Sequence, residues 1–170
     1  MSRRRRNRPQ ADAPLRPRFW EDVALTAMTG AEWEALCDGC GKCCVLKLED
    51  ADTGDVHYTD VACRLFDPDT CRCGQYALRQ TLVEGCVVLT PATLPEAASW
   101  MPDTCAYRRL HFGEPLPDWH PLLTGDPDSP ARAGHSVKGR TIPEWEVAEE
   151  DLEDHITLFD ETGRGAPDGE

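Results

Sequence analysis

Residues 36–50 read LCDGCGKCCVLKLED. Four cysteines, Cys37, Cys40, Cys43 and Cys44, fall within eight positions. The C-x2-C-x2-C run is the spacing with which a chain wraps several thiolates round one centre. Gly39 and Gly41 free the backbone to curl. The fourth cysteine does not fit a single site. Adjacent residues on an extended strand point to opposite faces, so Cys43 and Cys44 are expected to face different centres. A disulfide between them would be strained away from normal bridge geometry.

Outward from this stretch, VLKLEDADTGDVHYTDVAC reads as two strands joined by turn chemistry at DADTGD, a β-hairpin. With the turn centred between Thr53 and Gly54, equal counting puts Cys44 opposite Cys63. Upstream, MTGAEWEALC carries a capping box, Thr29 as N-cap and Glu32 at N3, and predicts a helix over about 30–36 that delivers Cys37. Downstream, Cys71 and Cys73 are spaced C-x-C, so they can split between centres or bridge them. GQYALRQTLVEG predicts a helix of two to three turns before Cys86, with Tyr76, Leu78, Leu82 and Val83 on its apolar face. A short helix is expected near 96–100. Asp103 and Gly113 frame another, with Cys105 in its first turn, where the helix dipole favours a thiolate. The stretch 115–134 reads as loop, SVKGRTI as a strand, and residues 143–159 as a helix begun by Pro143.

The nine cysteines, Cys37, Cys40, Cys43, Cys44, Cys63, Cys71, Cys73, Cys86 and Cys105, lie within 69 of the 170 residues. Cys86 and Cys105 are the candidates for a fourth thiol beside Cys37, Cys40 and Cys43. Eight thiols fill two four-coordinate sites with one left over; nine can also hold three zinc ions through bridging sulfurs. Thiolates serve zinc and iron–sulfur clusters alike. His57 is expected on the surface and His111 at a helix end. His120, in DWHPLLTG, either packs and caps or ligates. The five tryptophans, Trp20, Trp33, Trp100, Trp119 and Trp145, are expected as core pieces.

Aromatics make up only 7% of the chain, a thin core for this length, so staples are needed. No apolar region follows the Arg cluster of the first residues and no stretch is long enough to span a membrane. The expectation is a cytoplasmic protein, where clustered cysteines serve metal rather than disulfides. The net charge is −13. Residues 1–18 hold seven Arg against one Asp, so the remaining 152 carry −19. So acidic a body is a poor nucleic-acid binder. The expected organisation is a disordered basic arm over 1–18, a cysteine-cluster domain over 19–159 and a disordered tail over 160–170. The fold class is small α+β: loop-rich, metal-stapled, with one β-hairpin and several short helices. No nucleotide-binding, nucleophile-elbow or zinc-protease motif is found, so no catalytic residue is named.

At CDGCGKCC the chain resembles the CxxCxxCC signature of the YkgJ-like cysteine-cluster proteins, a zinc- or iron-chelating family. The longer pattern is similar to the YcgN family. It is carried by FW at 19–20, AEWEALCDGCGKCC, TDVACR, TCRC with Tyr76 and Arg79, Cys86 with LT after it, MPDTCAYRRL, LPDWHPLLTG and EDHI, about residues 19–159. The resemblance implies a bacterial cytosolic protein with all nine cysteines in the cluster region. The expected cofactor is an iron–sulfur cluster or iron, or alternatively zinc. The expected role is redox, electron transfer or sensing; the alternative is a zinc-stapled interaction domain without catalysis, with a protein partner.

Overall fold

Thr29 opens the helical half. In the computed structural model, which describes residues 14–159, its hydroxyl accepts the Glu32 N–H at 3.2 Å. The Glu32 carboxylate returns a bond to the Thr29 N–H at 2.9 Å. This reciprocal cap satisfies two of the first-turn amides. It starts a helix over Gly30–Ala35. Call it α2, since a short α1 over Phe19–Asp22 precedes it.

After α2 comes the hairpin of β1 (Val45–Glu49) and β2 (Val56–Ala62). Near the turn the register is Lys47↔Tyr58 and Glu49↔Val56; at the base it is Val45↔Ala62. Between these pairs β1 advances two residues and β2 four. The β2 bulge leaves the Thr59 hydroxyl donating to the Leu46 carbonyl at 2.7 Å. Beyond the base, the Cys63 N–H donates to the Cys44 carbonyl at 2.8 Å. Equal counting from 53–54 therefore finds the right partner, although the turn itself is centred one residue earlier. The bulge restores the difference.

A two-residue hairpin follows, β3 (Phe66–Asp67) with β4 (Arg72–Cys73). The Asp67 carboxylate holds its turn by accepting the Asp69 N–H at 2.9 Å. Next come α3 (Arg79–Leu82), α4 (Leu94–Ala97), α5 (Ala106–His111), α6 (Pro121–Thr124) and α7 (Ser129–Arg132). The last strand, β5 (Ile142–Pro143), runs parallel to β2. The architecture is α+β with short elements and much loop, as expected. Among the described residues no helix is long and apolar enough to cross a membrane.

Several elements differ from expectation. The 74–85 segment forms a 3-10 turn at Tyr76–Leu78 and one turn of α-helix, and Tyr76, Leu78 and Leu82 are exposed rather than buried. Two helical turns, α6 and α7, replace the loop at 115–134; each has a Pro near its start, where the missing N–H is harmless. SVKGRTI gives only Ile142 to a strand. Residues 143–159 form two 3-10 segments, Glu144–Glu146 and Glu149–His155, instead of an α-helix. Six of the seven residues of the second are Glu, Asp or His, which leaves no apolar face to bury. Trp145 there is exposed, not core.

Two small cores result. Phe19, Trp33, Leu36, Leu94, Met101 and Tyr107 anchor the helical one. Val45, Ala62, Phe66, Cys71, Val137 and Phe159 form the one under the sheet. Most of the basic arm (residues 1–13) and the tail 160–170 lie outside the described residues. Of the arm's last residues, Arg16 is tied to the domain. Its guanidinium donates to both Glu32 carboxylate oxygens, at 2.7 and 2.6 Å, and Glu32 is fully buried.

Candidate metal centre

Cys37 follows the last residues of α2. The Asp38 carboxylate accepts the Cys40 N–H at 2.9 Å and turns the chain. Gly39 and Gly41 take φ of +74° and +79°, the left-handed region that glycine enters without strain. Gly41 has a second reason to lack a side chain. A Cβ there would stand 2.6 Å from both the Cys71 Sγ and the Val137 side chain. The Cys40 carbonyl accepts the Val137 N–H at 2.8 Å, which fastens the curl to the sheet core.

Cys43 and Cys44 sit in a 3-10 turn, Lys42–Cys44, not on the strand. Successive residues of a 3-10 helix are about 120° apart, so the two thiols still diverge. On one side, the charges acting on Cys105 include those of Cys43 and Cys37, and those acting on Cys40 include Cys43 and Cys105. On the other, Cys44 feels Cys73 and Cys63, and Cys86 feels the same pair. By their mutual charges Cys37, Cys40, Cys43 and Cys105 neighbour one another, as do Cys44, Cys63, Cys73 and Cys86, and the two sets adjoin, since Cys44 acts on Cys43 and Cys37 on Cys44. Cys105 packs on the helical core and Cys44 on the sheet core.

Cys71 stands apart. It is buried in the sheet core, 3.5 Å from the Ser136 hydroxyl, and the charges acting on it most are Arg72, Lys138 and Asp38. The cause is local. Cys71 has φ +55°, which breaks the alternation that a C-x-C pair keeps on a strand, so Cys71 and Cys73 part.

Burial pushes the thiols up. Cys43 and Cys44 are each raised to about 12, and Cys40 and Cys105 also rise, with neighbouring sulfur charge adding to the effect. At Cys105, the N-cap of α5, the Arg108 and Tyr107 amides pull the other way, as the helix-end argument expects, and burial outweighs them. Cys37 and Cys43 nevertheless keep solvent-accessible surface. Among the described residues, no three His, Cys, Asp or Glu side chains already close into an ion-holding geometry. The fit is one of donor chemistry: two sets of four thiols, each drawn from three or four separate elements. It suits a tetrathiolate zinc or iron–sulfur centre.

The histidines stand outside both sets. His120 is fully buried; its Nδ1 accepts the Leu122 N–H at 3.0 Å, so Nε2–H donates to the Leu36 carbonyl at 2.9 Å. Both ring nitrogens are used in capping α6 and tying it to α2. His57 is exposed. His155, which carries no signal in the sequence, pairs with Asp60 at 2.8 Å. Lys47 is likewise silent in the sequence. Its amine lies by the Cys43 and Val45 carbonyls. A lysine inside a strand pattern reads as a solvated position, so no sequence signal singles it out.

A UPF0260 protein of Rhodobacter capsulatus is 55% identical over 142 residues, 84% of this chain and 95% of the relative. The chain belongs to the UPF0260 family. A UPF0260 protein of Cellvibrio japonicus is 57% identical over 141 residues, 83% of this chain and 95% of its own length. One from Marinobacter nauticus is 55% identical over 138 residues, covering 81% and 93%. Residues 36–106 match the CxxCxxCC family model, described as a "Putative zinc- or iron-chelating domain". That span contains every cysteine of this UPF0260 chain. No solved structure matches it.

Proposed function

We propose that the chain is a metalloprotein with two adjacent four-thiolate centres, one on Cys37, Cys40, Cys43 and Cys105 and one on Cys44, Cys63, Cys73 and Cys86. They hold iron–sulfur clusters or iron for electron transfer or sensing. The observation that carries this reading is the divergence of Cys43 and Cys44 into different neighbourhoods. The accessible surface of Cys37 and Cys43 supports a redox or sensing role, because electrons and small molecules must reach a working centre. All nine cysteines are free thiols, which fits a reducing compartment such as the cytoplasm. The YcgN-type assignment belongs to the same reading.

One observation favours a second reading, a zinc-stapled interaction domain. The described residues form two separate small cores, with Cys105 against one and Cys44 against the other, so metal between them would act as a staple. Structural zinc contributes about 10 kcal/mol or more to a small domain. Metal and acid-labile sulfide per chain, with a visible spectrum on protein purified without air, separate the two. Iron with sulfide and colour is the expected result. Two colourless zinc ions select the staple, and a chain that purifies and refolds without metal overturns both.

A further inference from the structure

Lys47, on β1, turns its amine back to the backbone of Cys43, the residue before Cys44. Its ammonium donates to the Val45 carbonyl at 2.8 Å and to the Cys43 carbonyl at 3.2 Å. It also lies over two aromatic faces, 5.1 Å from the Tyr58 ring centre and 5.4 Å from that of Trp100. The Tyr58 hydroxyl donates to the Trp100 carbonyl at 2.7 Å, which fixes the two aromatic residues to each other. The amine is half-buried among two carbonyls and two ring faces; each attracts a cation and together they hold it in one place.

The hairpin explains what the cation faces. Cys43 and Cys44 end the turn before β1, and Cys63 is hydrogen-bonded to Cys44 across the base. Burial lowers the Lys47 amine, and the thiol charges that oppose this come from Cys43 and Cys44, then Cys40 and Cys63, so from both sets. Among the described residues, three further cations each meet one set: Arg72 acts on Cys37, Arg79 on Cys86, and Lys42 is acted on by Cys40 and Cys105. Four thiolates round a divalent ion leave a dianion, and two such centres lie side by side here. A fixed positive charge between them lowers the electrostatic cost of both.

Resting on the two-centre reading above, we propose that Lys47 is the counter-charge shared by the two thiolate centres: a positioning residue that ligates neither and strengthens metal binding at each. The hydrogen bonds to the carbonyls orient it; the charge does the stabilising.

The test is a cobalt(II) titration of the metal-free full-length chain against a competing chelator, read by thiolate-to-cobalt absorption. Lys47→Gln keeps donors for the carbonyls and removes the charge; it should weaken both equivalents, each on the order of tenfold for one unit charge in a partly buried setting. Lys47→Arg keeps the charge and should retain most of the wild-type affinity. Arg72→Gln should weaken one equivalent and spare the other. Wild-type affinity in Lys47→Gln, or loss as large in Lys47→Arg as in Lys47→Gln, overturns the proposal while leaving two centres in place. If Lys47→Gln does not fold, Lys47→Met, which keeps the stem against Tyr58 and Trp100, carries the same expectation. A wild-type chain that takes up no cobalt overturns the two-centre reading itself and the role of Lys47 with it.

Discussion

Replacing glycine by alanine at three positions separates backbone strain from close packing under the cysteine curl. Gly54, Gly39 and Gly41 have nearly the same φ, +75°, +74° and +79°. Forcing an L side chain into that region costs about 1–2 kcal/mol. At Gly54 nothing lies within 4 Å of the new Cβ, so Gly54→Ala should lose only that. At Gly39 the nearest atom is the Arg72 Nη2 at 3.1 Å, the tip of a flexible side chain that can move. Gly39→Ala should cost little more than Gly54→Ala. At Gly41 the Cβ meets the Cys71 sulfur and the Val137 methyl, both at 2.6 Å, and the Phe66 ring at 3.1 Å. Val137 is fully buried and Cys71 and Phe66 nearly so, and overpacking such a site adds roughly 1–3 kcal/mol. Gly41→Ala should therefore lose about 2–5 kcal/mol in total. Urea unfolding of the three variants, with unchanged slopes, reads the ranking directly. Gly41→Ala as stable as Gly54→Ala would refute the contact between the curl and the sheet core.

Other outcomes follow from single contacts. His120→Ala should lose about 2–4 kcal/mol, from two hydrogen bonds and a buried cavity, yet keep full metal content; loss of metal from a folded variant would make His120 a ligand. Arg16→Ala should destabilise the chain and raise its acid midpoint. Glu32 is held at about 2, mainly by the Arg16 hydrogen bonds, so its contribution is present above the ordinary carboxylate range and lost as pH falls toward 2. Without Arg16 that loss should begin at higher pH, seen by circular dichroism. For the metal-free protein the sign reverses at the alkaline end. Cys43 and Cys44 are raised from about 9 to about 12, so the folded state keeps protons that the unfolded chain gives up. Its stability should fall between pH 9 and 12, and bound metal should abolish that slope.

Much of the candidate site was legible because its signals are local. The capping box needs only Thr29 and Glu32. The hairpin needs a turn between two apolar runs, which placed Cys44 against Cys63. Adjacency of Cys43 and Cys44 implies diverging side chains in a strand and in a 3-10 turn alike. What failed was set by tertiary context. Cys71 leaves its C-x-C partner because of one left-handed residue, which spacing does not encode. The stretch 74–85 reads as a helix from its apolar positions and 143–159 from Pro143, but Tyr76, Leu78 and Leu82 meet no core and residues 149–155 have no apolar face to bury. The choice of Cys105 over Cys86 for the first set depends on α5 packing beside α2 through Tyr107, whose hydroxyl donates to the Trp33 carbonyl at 2.7 Å, a contact 74 residues apart.

The partition of the nine cysteines is the central claim, and metal content across single Cys→Ser variants tests it most directly. Each variant is purified without air and assayed for metal per folded chain, with its spectrum. Cys37, Cys40, Cys43 and Cys105 variants should share one partial loss. Cys44, Cys63, Cys73 and Cys86 variants should share a different one, and Cys71→Ser should keep the wild-type content. Loss of metal in Cys71→Ser, or the same complete loss from Cys43→Ser and Cys44→Ser, would contradict two separate centres.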